Sequence, residues 1–295
     1  MGNPIVICVT IIFCLTVVTG LEDAGRKIFD KNIETDQQKN NENESTNSTD
    51  YFIFMTPDKI LRRPYFSKYA SLSEIKITNS PNFTQNLTND KYNAEFLSDC
   101  SNKRIYILKK PISQEDYGSD LDVIEYDDSK KFTRINSVSK MFDEAKSLSL
   151  DWTTGNIFWT EKTEGNKSSI KFTNKLFEEP QYIIQPTDEI LINNIRVYPK
   201  LKQIIFSDGG NIWYTSTFPN STAELLFSST MREQINRFEI DYALDKLCFT
   251  SIYTLNCISI NSRSRRIERQ SVLGNIAGLS VLNGTFYWLA QEKSE

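Results

Sequence analysis

A pattern of short apolar and aromatic segments recurs along the chain and constrains the fold more than any other feature. The central residues of these segments follow one another at intervals of 52, 47, 43 and 39 residues: Ile107, Trp159, Phe206, Phe249 and Trp288. A repeat of about 40–45 residues is typical of one four-stranded blade of a β-propeller. The spacing therefore predicts an all-β repeat protein, and it favours binding over catalysis.

The composition favours strands and excludes several classes of function. The 295-residue chain is 12% aromatic and has a net charge of −4, so it has no overall attraction to nucleic acid or an anionic membrane. It contains no histidine, which excludes Ser-His-Asp and Cys-His catalysis and histidine-bound zinc. The sequence also has no glycine-rich phosphate loop and no zinc-spaced cysteines. We expect no catalytic residue, no cofactor and no metal site.

The chain divides into three segments. Residues 1–20 predict a secretory signal peptide, because the run is apolar and Val18 and Gly20 suit cleavage after Gly20. An uncleaved anchor is the alternative. Residues 21–50 are polar and predict a disordered leader, since apolar side chains are too few to offset the entropy of ordering. Residues 51–295 carry the strand pattern and are predicted to form the propeller. Because of the predicted signal peptide, we expect a secreted, extracellular protein without membrane insertion after signal cleavage.

Sequons for N-glycosylation agree with secretion. Seven N-x-[ST] sites are predicted to carry glycans: Asn43, Asn47, Asn82, Asn86, Asn166, Asn220 and Asn283. The last three fall in predicted turns between strands, where a glycan has room.

The stretch from Leu148 to Glu161 carries a family signature. Its sequence, LSLDWTTGNIFWTE, resembles the L-x-x-D-W-x-x-x-x-L-Y-W-T-D line of the YWTD repeats, the class B repeats of the low-density lipoprotein receptor. Members of this family form six-bladed extracellular β-propellers. Segments 51–56 and 59–63 resemble the strands that enter the receptor's propeller, where they complete the last blade. The resemblance covers about residues 51–295 and implies the same fold for this chain.

The other copies depart from the family pattern. The motif tryptophan is kept at Trp159 and Trp288, and the motif acid at Asp208 and, as a glutamate, at Glu161. In the family this acid helps to tie neighbouring blades, so the resemblance implies looser joints where the acid is missing. Only five motif strands are present. We therefore expect an incomplete six-bladed propeller, either a fragment or a shortened ring with an open seam that exposes sheet edges.

Two cysteines suggest a subtype of the family. Cys248 and Cys257 are predicted to lie opposite each other on adjacent strands, with a two-residue turn between the strands at Ile252-Tyr253. A similar pair occurs in the propeller of nidogen, so the resemblance implies a disulfide, and two half-buried thiols are the alternative. Sevenless/Ros-type receptor ectodomains also contain YWTD propellers, and both subtypes stay open. Three cysteines remain after the signal peptide is removed, and Cys100 is the one outside this pair. It is free, is paired with a cysteine of another chain, or has lost its partner.

Acidic pairs are candidates for chemistry. Asp120-Asp122 and Asp127-Asp128 suit a calcium site or two-carboxylate hydrolysis. They lie in residues 117–128, which we interpret as an insertion in the first blade, so we expect solvated loop acids instead.

Basic and aromatic clusters are the remaining candidates. Arg263, Arg265 and Arg266 match the R-x-[KR]-R pattern of secretory convertases, so processing after Arg266 is a hypothesis. One alternative is that these arginines form a solvated turn. Another is that, together with Arg269, they bind a sulfated glycan. The pair Trp213-Tyr214 is either an exposed interface anchor or a buried pair between blades, and we expect the second.

These patterns together predict a secreted, glycosylated YWTD-like propeller that binds other proteins and catalyses nothing. A propeller presents loops from several blades on one rigid face, which suits a broad protein interface. As the family implies, expected partners are receptors, matrix proteins or secreted ligands. The alternative is a secreted propeller hydrolase with carboxylates or calcium in its central channel, and the third hypothesis is a degenerate fragment without function.

Overall fold

The computed structural model describes the following stretches of the chain: residues 51–55, 60–64, 73–74, 77–78, 92–99, 102–111, 119–127, 132–138, 140–229, 234–251, 254–261, 267–271, 275–282 and 284–291. The predicted signal peptide and polar leader, residues 1–50, lie outside the described residues. Nothing in the structure therefore tests these two segments.

Strands account for nearly all regular structure in these stretches. In chain order they are β1 (Tyr51–Met55), β2 (Ile60–Pro64), β3 (Ser73–Glu74), β4 (Ile77–Thr78), β5 (Tyr92–Asp99), β6 (Arg104–Pro111), β7 (Asp120–Tyr126), β8 (Phe132–Val138), β9 (Ala145–Asp151), β10 (Asn156–Lys162), β11 (Ser168–Thr173), β12 (Gln181–Thr187), β13 (Asn194–Tyr198), β14 (Gln203–Ser207), β15 (Asn211–Ser216), β16 (Glu224–Ser228), β17 (Arg237–Asp241), β18 (Lys246–Thr250), β19 (Thr254–Ser259), β20 (Glu268–Ser271), β21 (Asn275–Leu282) and β22 (Thr285–Gln291). Two single 3₁₀ turns are also present, Glu164–Asn166 and Pro199–Leu201.

Consecutive strands pair into blades. We number these blades I (β5–β8), II (β9–β12), III (β13–β16), IV (β17–β20) and V (β21–β22). Blades I to IV are antiparallel meanders of four strands, and β4 extends blade I by pairing parallel to β8. The all-β propeller that the repeat spacing predicts is confirmed, because each motif segment of blades I to IV is the second strand of a four-stranded sheet.

The first three strands differ from the expectation. The resemblance places β1 and β2 in the last blade, but they form a separate sheet with β3. Among the described strands, neither pairs with β21 or β22. Local pairing has a physical reason: β1 and β2 are close in sequence, so a hairpin satisfies their backbone groups at a small loop-closure cost.

Alternation along each motif strand sends neighbouring residues into different interblade cores. In β10, Trp159 packs between blades I and II, whereas Phe158 packs between blades II and III. In β18, Phe249 packs towards blade III and Cys248 towards blade V. All four side chains are buried. Because both sides of the motif strand are covered, consecutive positions must be apolar, which is the pattern the sequence shows.

The first strand of each blade sets the two faces of the propeller. We call β5, β9, β13 and β17 the inner strands. The N–H groups of Ile195 and Val197 on β13 donate to the hydroxyls of Ser147 (3.4 Å) and Ser149 (2.8 Å) on β9, so these strands run in the same direction. The turns after first and third strands therefore share one face, the carboxyl-end face. Turns after second strands, and the links between blades, share the amino-end face.

One expectation about blade I is wrong. The segment interpreted as an insertion with solvated acids contains the regular strand β7, which pairs with β6 and β8. Asp122 on this strand is fully buried, lies 3.0 Å from Lys109 Nζ and is bound by Arg134. A buried carboxylate is stable when adjacent strands supply cations, and Lys109 and Arg134 come from β6 and β8. Asp127 is exposed, and Asp128 lies outside the described residues.

Candidate functional site

Four polar side chains meet where the inner strands of blades I to IV come together. Arg196 Nε donates to both carboxylate oxygens of Glu239, at 3.1 and 3.0 Å. Arg196 Nη1 lies 3.8 Å from Glu95 Oε1. Ser147 Oγ donates to the same Glu95 oxygen at 3.0 Å. We call Glu95, Ser147, Arg196 and Glu239 the inner-strand cluster, since its contacts connect four blades.

The electrostatics of the inner-strand cluster keep Arg196 charged. Its side chain is 20% exposed, and burial alone would lower its pKa, but Glu239 and Glu95 outweigh burial and raise the pKa above its ordinary value. Two carboxylates around one guanidinium leave the cluster with a net negative charge. The arrangement joins blades, and it also offers two carboxylates for chemistry, each of them already in contact with a cation.

Sequence reasoning missed the inner-strand cluster, although a signal was present. In β13 the charged Arg196 stands between Ile195 and Val197, and in β17 Glu239 stands between Phe238 and Ile240. A charged residue between two buried apolar residues, on the first strand of a blade, indicates a side chain that pairs with an opposite charge near the centre of the propeller. The partners come from different blades, so only the fold shows which charges meet.

The motif acids act within their own blades. Asp208 accepts from the N–H groups of Gly210 and Asn211, from Asn211 Nδ2 and from Trp213 Nε1, at 2.6–2.9 Å. Burial raises the pKa of Asp208, but these bonds outweigh it and leave the pKa below its ordinary value. Glu161 likewise contacts side chains on β11 of its own blade, at 3.0 and 2.8 Å. The implied tie between blades is thus corrected for these two acids.

The aromatic pair of β15 fills space inside the propeller. Trp213 is half-buried against the core shared with blade II, and Tyr214 against the core shared with blade IV. The hydroxyl of Tyr214 donates to Glu224 on the neighbouring strand. This agrees with the expected packing between blades rather than with an exposed anchor.

Two equivalent turns carry aromatic residues to the carboxyl-end face. Trp152 follows Asp151 at the end of β9, and Tyr242 follows Asp241 at the end of β17. Each aspartate accepts a hydrogen bond from the N–H two residues further on, at 2.9 and 3.1 Å respectively. Such Asx turns reverse the chain tightly, so the residue after each aspartate is left at the surface.

Blade III holds this aromatic pair in place. The rings of Trp152 and Tyr242 are perpendicular with centroids 4.4 Å apart, and the hydroxyl of Tyr242 donates to the carbonyl of Val197 at 2.9 Å. Tyr198 stacks on Tyr242 at 6.3 Å. Burial and a hydrogen bond to Asp245 raise the pKa of Tyr198 to about 12. The result is a supported aromatic cluster in which Trp152 and Tyr242 are 38% and 37% exposed.

Most exposed large apolar side chains share that face. Ten are exposed in the part of the chain that the structure describes, and seven of them belong to turns of the carboxyl-end face: Trp152, Leu176, Leu201, Phe218, Tyr242, Leu244 and Ile267. We call these seven the apolar set. Of the others, Leu191 precedes β13 on the amino-end face, and Ile135 and Leu225 lie on outer strands.

The amino-end face carries a polar pocket of about 650 Å³ between blades III and IV. Side-chain amides dominate its lining: Asn193, Asn194, Asn211, Gln234 and Asn236. Leu191 and Ile235 add apolar surface, and Asp208 contributes the one charged side chain among the described lining residues.

The wall of this pocket is fixed by backbone hydrogen bonds. The carbonyl of Gly209 accepts from the N–H of Ile235 at 2.7 Å, and that of Gly210 accepts from the N–H of Ser229 at 3.0 Å. The turn after β14 therefore binds both ends of the segment that links β16 of blade III to β17 of blade IV. Gly209 has φ +94°, a conformation that side-chain-bearing residues rarely adopt, so the turn depends on glycine at this position.

The structure brings together one of the predicted site pairs. Cys248 and Cys257 are directly paired on β18 and β19, with Cα atoms 4.1 Å apart, and a disulfide joins them. Asn166 and Asn220 are exposed in turns on the amino-end and carboxyl-end faces respectively. The remaining predicted site residues lie outside the described residues: Asn43, Asn47, Asn82, Asn86, Asn283, Cys100, Arg263, Arg265 and Arg266.

Within the stretches described above, no group of three or more Cys, Asp or Glu side chains is placed to hold a metal ion. Over the same stretches, no helix has both the length and the apolar character needed to cross a bilayer.

Comparisons with known proteins define the class of the molecule by its fold. No protein-family model matches the chain, and no curated protein matches it. A chain from the crystal structure of a nidogen/laminin complex is 13% identical, with a TM-score of 0.61 over 81% of this chain and 84% of that chain. A luciferin-regenerating enzyme is 10% identical, with a TM-score of 0.52 over 78% and 75%. At these identities the similarity shows the fold alone, which is a β-propeller.

Proposed function

We propose that this chain is a secreted, N-glycosylated β-propeller of the YWTD type that binds an extracellular protein through its carboxyl-end face and catalyses no reaction. The resemblance of Leu148–Glu161 to the YWTD line supports the subtype. The similarity to a chain of a nidogen/laminin complex supports it further. A receptor, a matrix protein or a secreted ligand is the proposed kind of partner.

The concentration of the apolar set on one face is the observation that carries this proposal. Seven of ten exposed large apolar side chains lie there, spread over turns of blades II to IV. Exposed apolar surface costs free energy in water, so its concentration on one face supports a protein contact there. Trp and Tyr anchors dominate the energetics of protein interfaces, and both are present in this set.

The support beneath these anchors favours recognition of a folded partner. Trp152 and Tyr242 are fixed by each other, by Tyr198 and by capped turns, so little side-chain entropy is lost on binding. Lys200 and Asp245 form an ion pair at 2.6 Å beside this cluster. An apolar centre with charged neighbours is the usual anatomy of a protein interface.

The test compares two double variants that remove equally exposed side chains. W152A/L244A removes two members of the apolar set, and I135A/L225A removes two side chains of outer strands that are 44% and 45% exposed. Each secreted protein is used to capture partners from its native extracellular fluid. We expect W152A/L244A to weaken capture at least about tenfold and I135A/L225A to match the unaltered protein. Equal capture by both variants would contradict the assigned face.

Intact mass of the secreted protein tests the extracellular part of the proposal. We expect a chain that begins at Leu21 and carries glycans at Asn166 and Asn220. The same spectrum reports whether the chain is cut after Arg266. A protein retained inside the cell with its first twenty residues attached would overturn this part.

A second candidate is a secreted propeller hydrolase. The pair of inner-strand carboxylates, Glu95 and Glu239, favours it, because two carboxylates suffice for glycoside hydrolysis. Their shared contact with Arg196 favours a structural role instead. Turnover of esters, lactones or glycosides by the purified protein, abolished in E239Q, would establish the hydrolase and displace the binding proposal.

A further inference from the structure

The polar pocket on the amino-end face is distant in the fold from the proposed protein contact and calls for its own ligand. Four of its amide side chains, those of Asn193, Asn194, Gln234 and Asn236, have no hydrogen-bond partner among the described residues. An amide group donates two hydrogen bonds and accepts up to two. The pocket therefore presents a dense, mixed set of donors and acceptors to solvent.

The remaining polar groups of the pocket are already occupied. Asp208 accepts four hydrogen bonds from its own turn and from Trp213, which leaves little capacity for a ligand. Asn211 is used in the same turn: its Nδ2 donates to Asp208 and its Oδ1 accepts from Ser228. The turn thus forms a fixed wall, and the free amides lie on the links that face it.

We propose that this pocket binds an uncharged saccharide. Hydroxyl groups of a sugar both donate and accept, so neighbouring amides can bind them in pairs without a charge on either side. Leu191, which is 48% exposed, offers apolar contact to the C–H face of a ring. A volume of about 650 Å³ falls within the ordinary range of small-ligand sites, about 300–1,000 Å³.

Other ligand classes fit the pocket less well. A sulfated or phosphorylated ligand needs cations, yet the described lining contains neither Lys nor Arg and includes the anionic Asp208. A divalent cation needs free carboxylates, and Asp208 is saturated by donors. A peptide needs anchor pockets or an open strand edge, whereas Leu191 is the one exposed apolar side chain among the described lining residues and Ile235 is only 5% exposed.

The experiment titrates the full-length secreted protein with defined disaccharides and detects binding by ligand-observed NMR and calorimetry. The uncharged probes are lactose, N,N′-diacetylchitobiose and α-mannobiose, and a chondroitin sulfate disaccharide is the charged probe. We expect at least one uncharged probe to bind with a Kd below about 10 mM. Affinity should be constant between about pH 5 and 8, because amides do not titrate in this range.

Matched variants locate the binding. N193A/N236A removes two of the free amides and should weaken the bound saccharide about tenfold or more. N156A removes an amide at the start of β10 on the carboxyl-end face and should leave affinity unchanged. An unchanged melting temperature for N193A/N236A shows that the variant is folded; if it is not folded, N236D serves in its place, because it keeps the shape and alters the hydrogen bonding.

Three results would overturn the proposal. They are no binding of any uncharged probe, binding of the sulfated probe alone, and equal affinity in N193A/N236A and N156A. Protein capture is read separately with W152A/L244A, so loss of one activity does not imply loss of the other. Capture of a peptide that N193A/N236A abolishes, without saccharide binding, would likewise replace the saccharide by a peptide.

Discussion

The five-residue strand β13 begins at Asn194 on the amino-end face, beside Asn193, and ends at Tyr198 on the carboxyl-end face. Amides that line the polar pocket lie at its amino end, and the aromatic cluster lies at its carboxyl end. Between these two ends, Ile195 and Val197 of the strand are buried in the core that blades II and III share. The chemistry available for recognition therefore lies in the turns and links at the ends of the strand.

The two faces are also supported differently. On the carboxyl-end face, aspartate-capped turns and ring contacts such as that of Trp152 with Tyr242 hold the side chains. On the amino-end face, backbone bonds from Gly209 and Gly210 hold whole link segments, and the amides project from them. Both faces thus use an aspartate-bonded turn, Asp208 doing so on the amino-end face; ring packing adds to it on one face and main-chain bonds to the links add to it on the other. Substitutions can therefore disturb each face separately.

Removing the charge at the centre should disturb both faces at once. R196M removes the guanidinium that contacts both Glu95 and Glu239, and we expect a loss of about 2–4 kcal/mol in the free energy of unfolding. Urea denaturation of the secreted protein measures this loss. In the triple variant E95Q/R196M/E239Q, most of the loss should be recovered, because the two carboxylates that contact Arg196 are removed together with its charge. A triple variant as unstable as R196M would show that packing, not charge, is the cause.

Exchange of Gly209 should disturb the amino-end face alone. G209A forces alanine into φ +94°, which costs about 1–3 kcal/mol. G210A is the matched control: its Cβ would lie 3.8 Å from Asp208 Oδ1, an ordinary contact. We expect G209A to weaken saccharide binding and lower stability, and G210A to do neither. Partner capture through the apolar set should persist in both, and its loss in G209A would mean that the faces are coupled.

Acid should weaken both faces, each through one aspartate. Hydrogen bonds from Lys200 and Tyr198 lower the pKa of Asp245, and those from Asn211 and Trp213 more than offset burial and lower the pKa of Asp208. A carboxyl with a lowered folded-state pKa stabilises the fold above its unfolded pKa of about 3.9 and loses that contribution as pH falls through the folded value. Stability should therefore fall below about pH 4, and D208N and D245N should each flatten that slope. An acid slope in D208N and D245N as steep as that of the unaltered protein would assign the slope to other groups.

The smallest effects are expected when each double variant is assayed for binding at the other site. N193A/N236A should leave partner capture within about twofold of the unaltered protein, and W152A/L244A should leave saccharide affinity equally unchanged, because distant sites without shared contacts act additively. A cross-effect larger than this would show that the inner strands transmit changes between the faces.

The sequence predicts the strands of this fold better than its sites. Motif spacing and the apolar run at Phe158-Trp159 are properties of one strand, and burial on both sides of that strand explains them locally. The register that opposes Cys248 and Cys257 is also local, since one short turn sets it. Such features can be predicted because they need no knowledge of which blades become neighbours.

The features that were missed depend on contacts between distant segments. Asp122 resembled a solvated acid because its partners, Lys109 and Arg134, are paired to it only by the sheet. Arg196 meets Glu95 and Glu239 only when three blades converge. The polar pocket is built from two links and the turn after β14, and apart from Asp208 its lining residues belong to no motif. Asp208 matched the family motif, yet a nearby tryptophan and asparagine engage it within its own blade.

Hydrogen exchange on the captured complex shows which face the partner covers. A bound protein should slow exchange in the carboxyl-end turns, at residues 152–155, 199–202 and 242–245. Exchange in the amino-end segments 208–211 and 234–236 should stay as it is in the free protein. Slowed exchange confined to those amino-end segments, with the Trp152 and Tyr242 turns unchanged, would contradict the assignment of the protein-binding face.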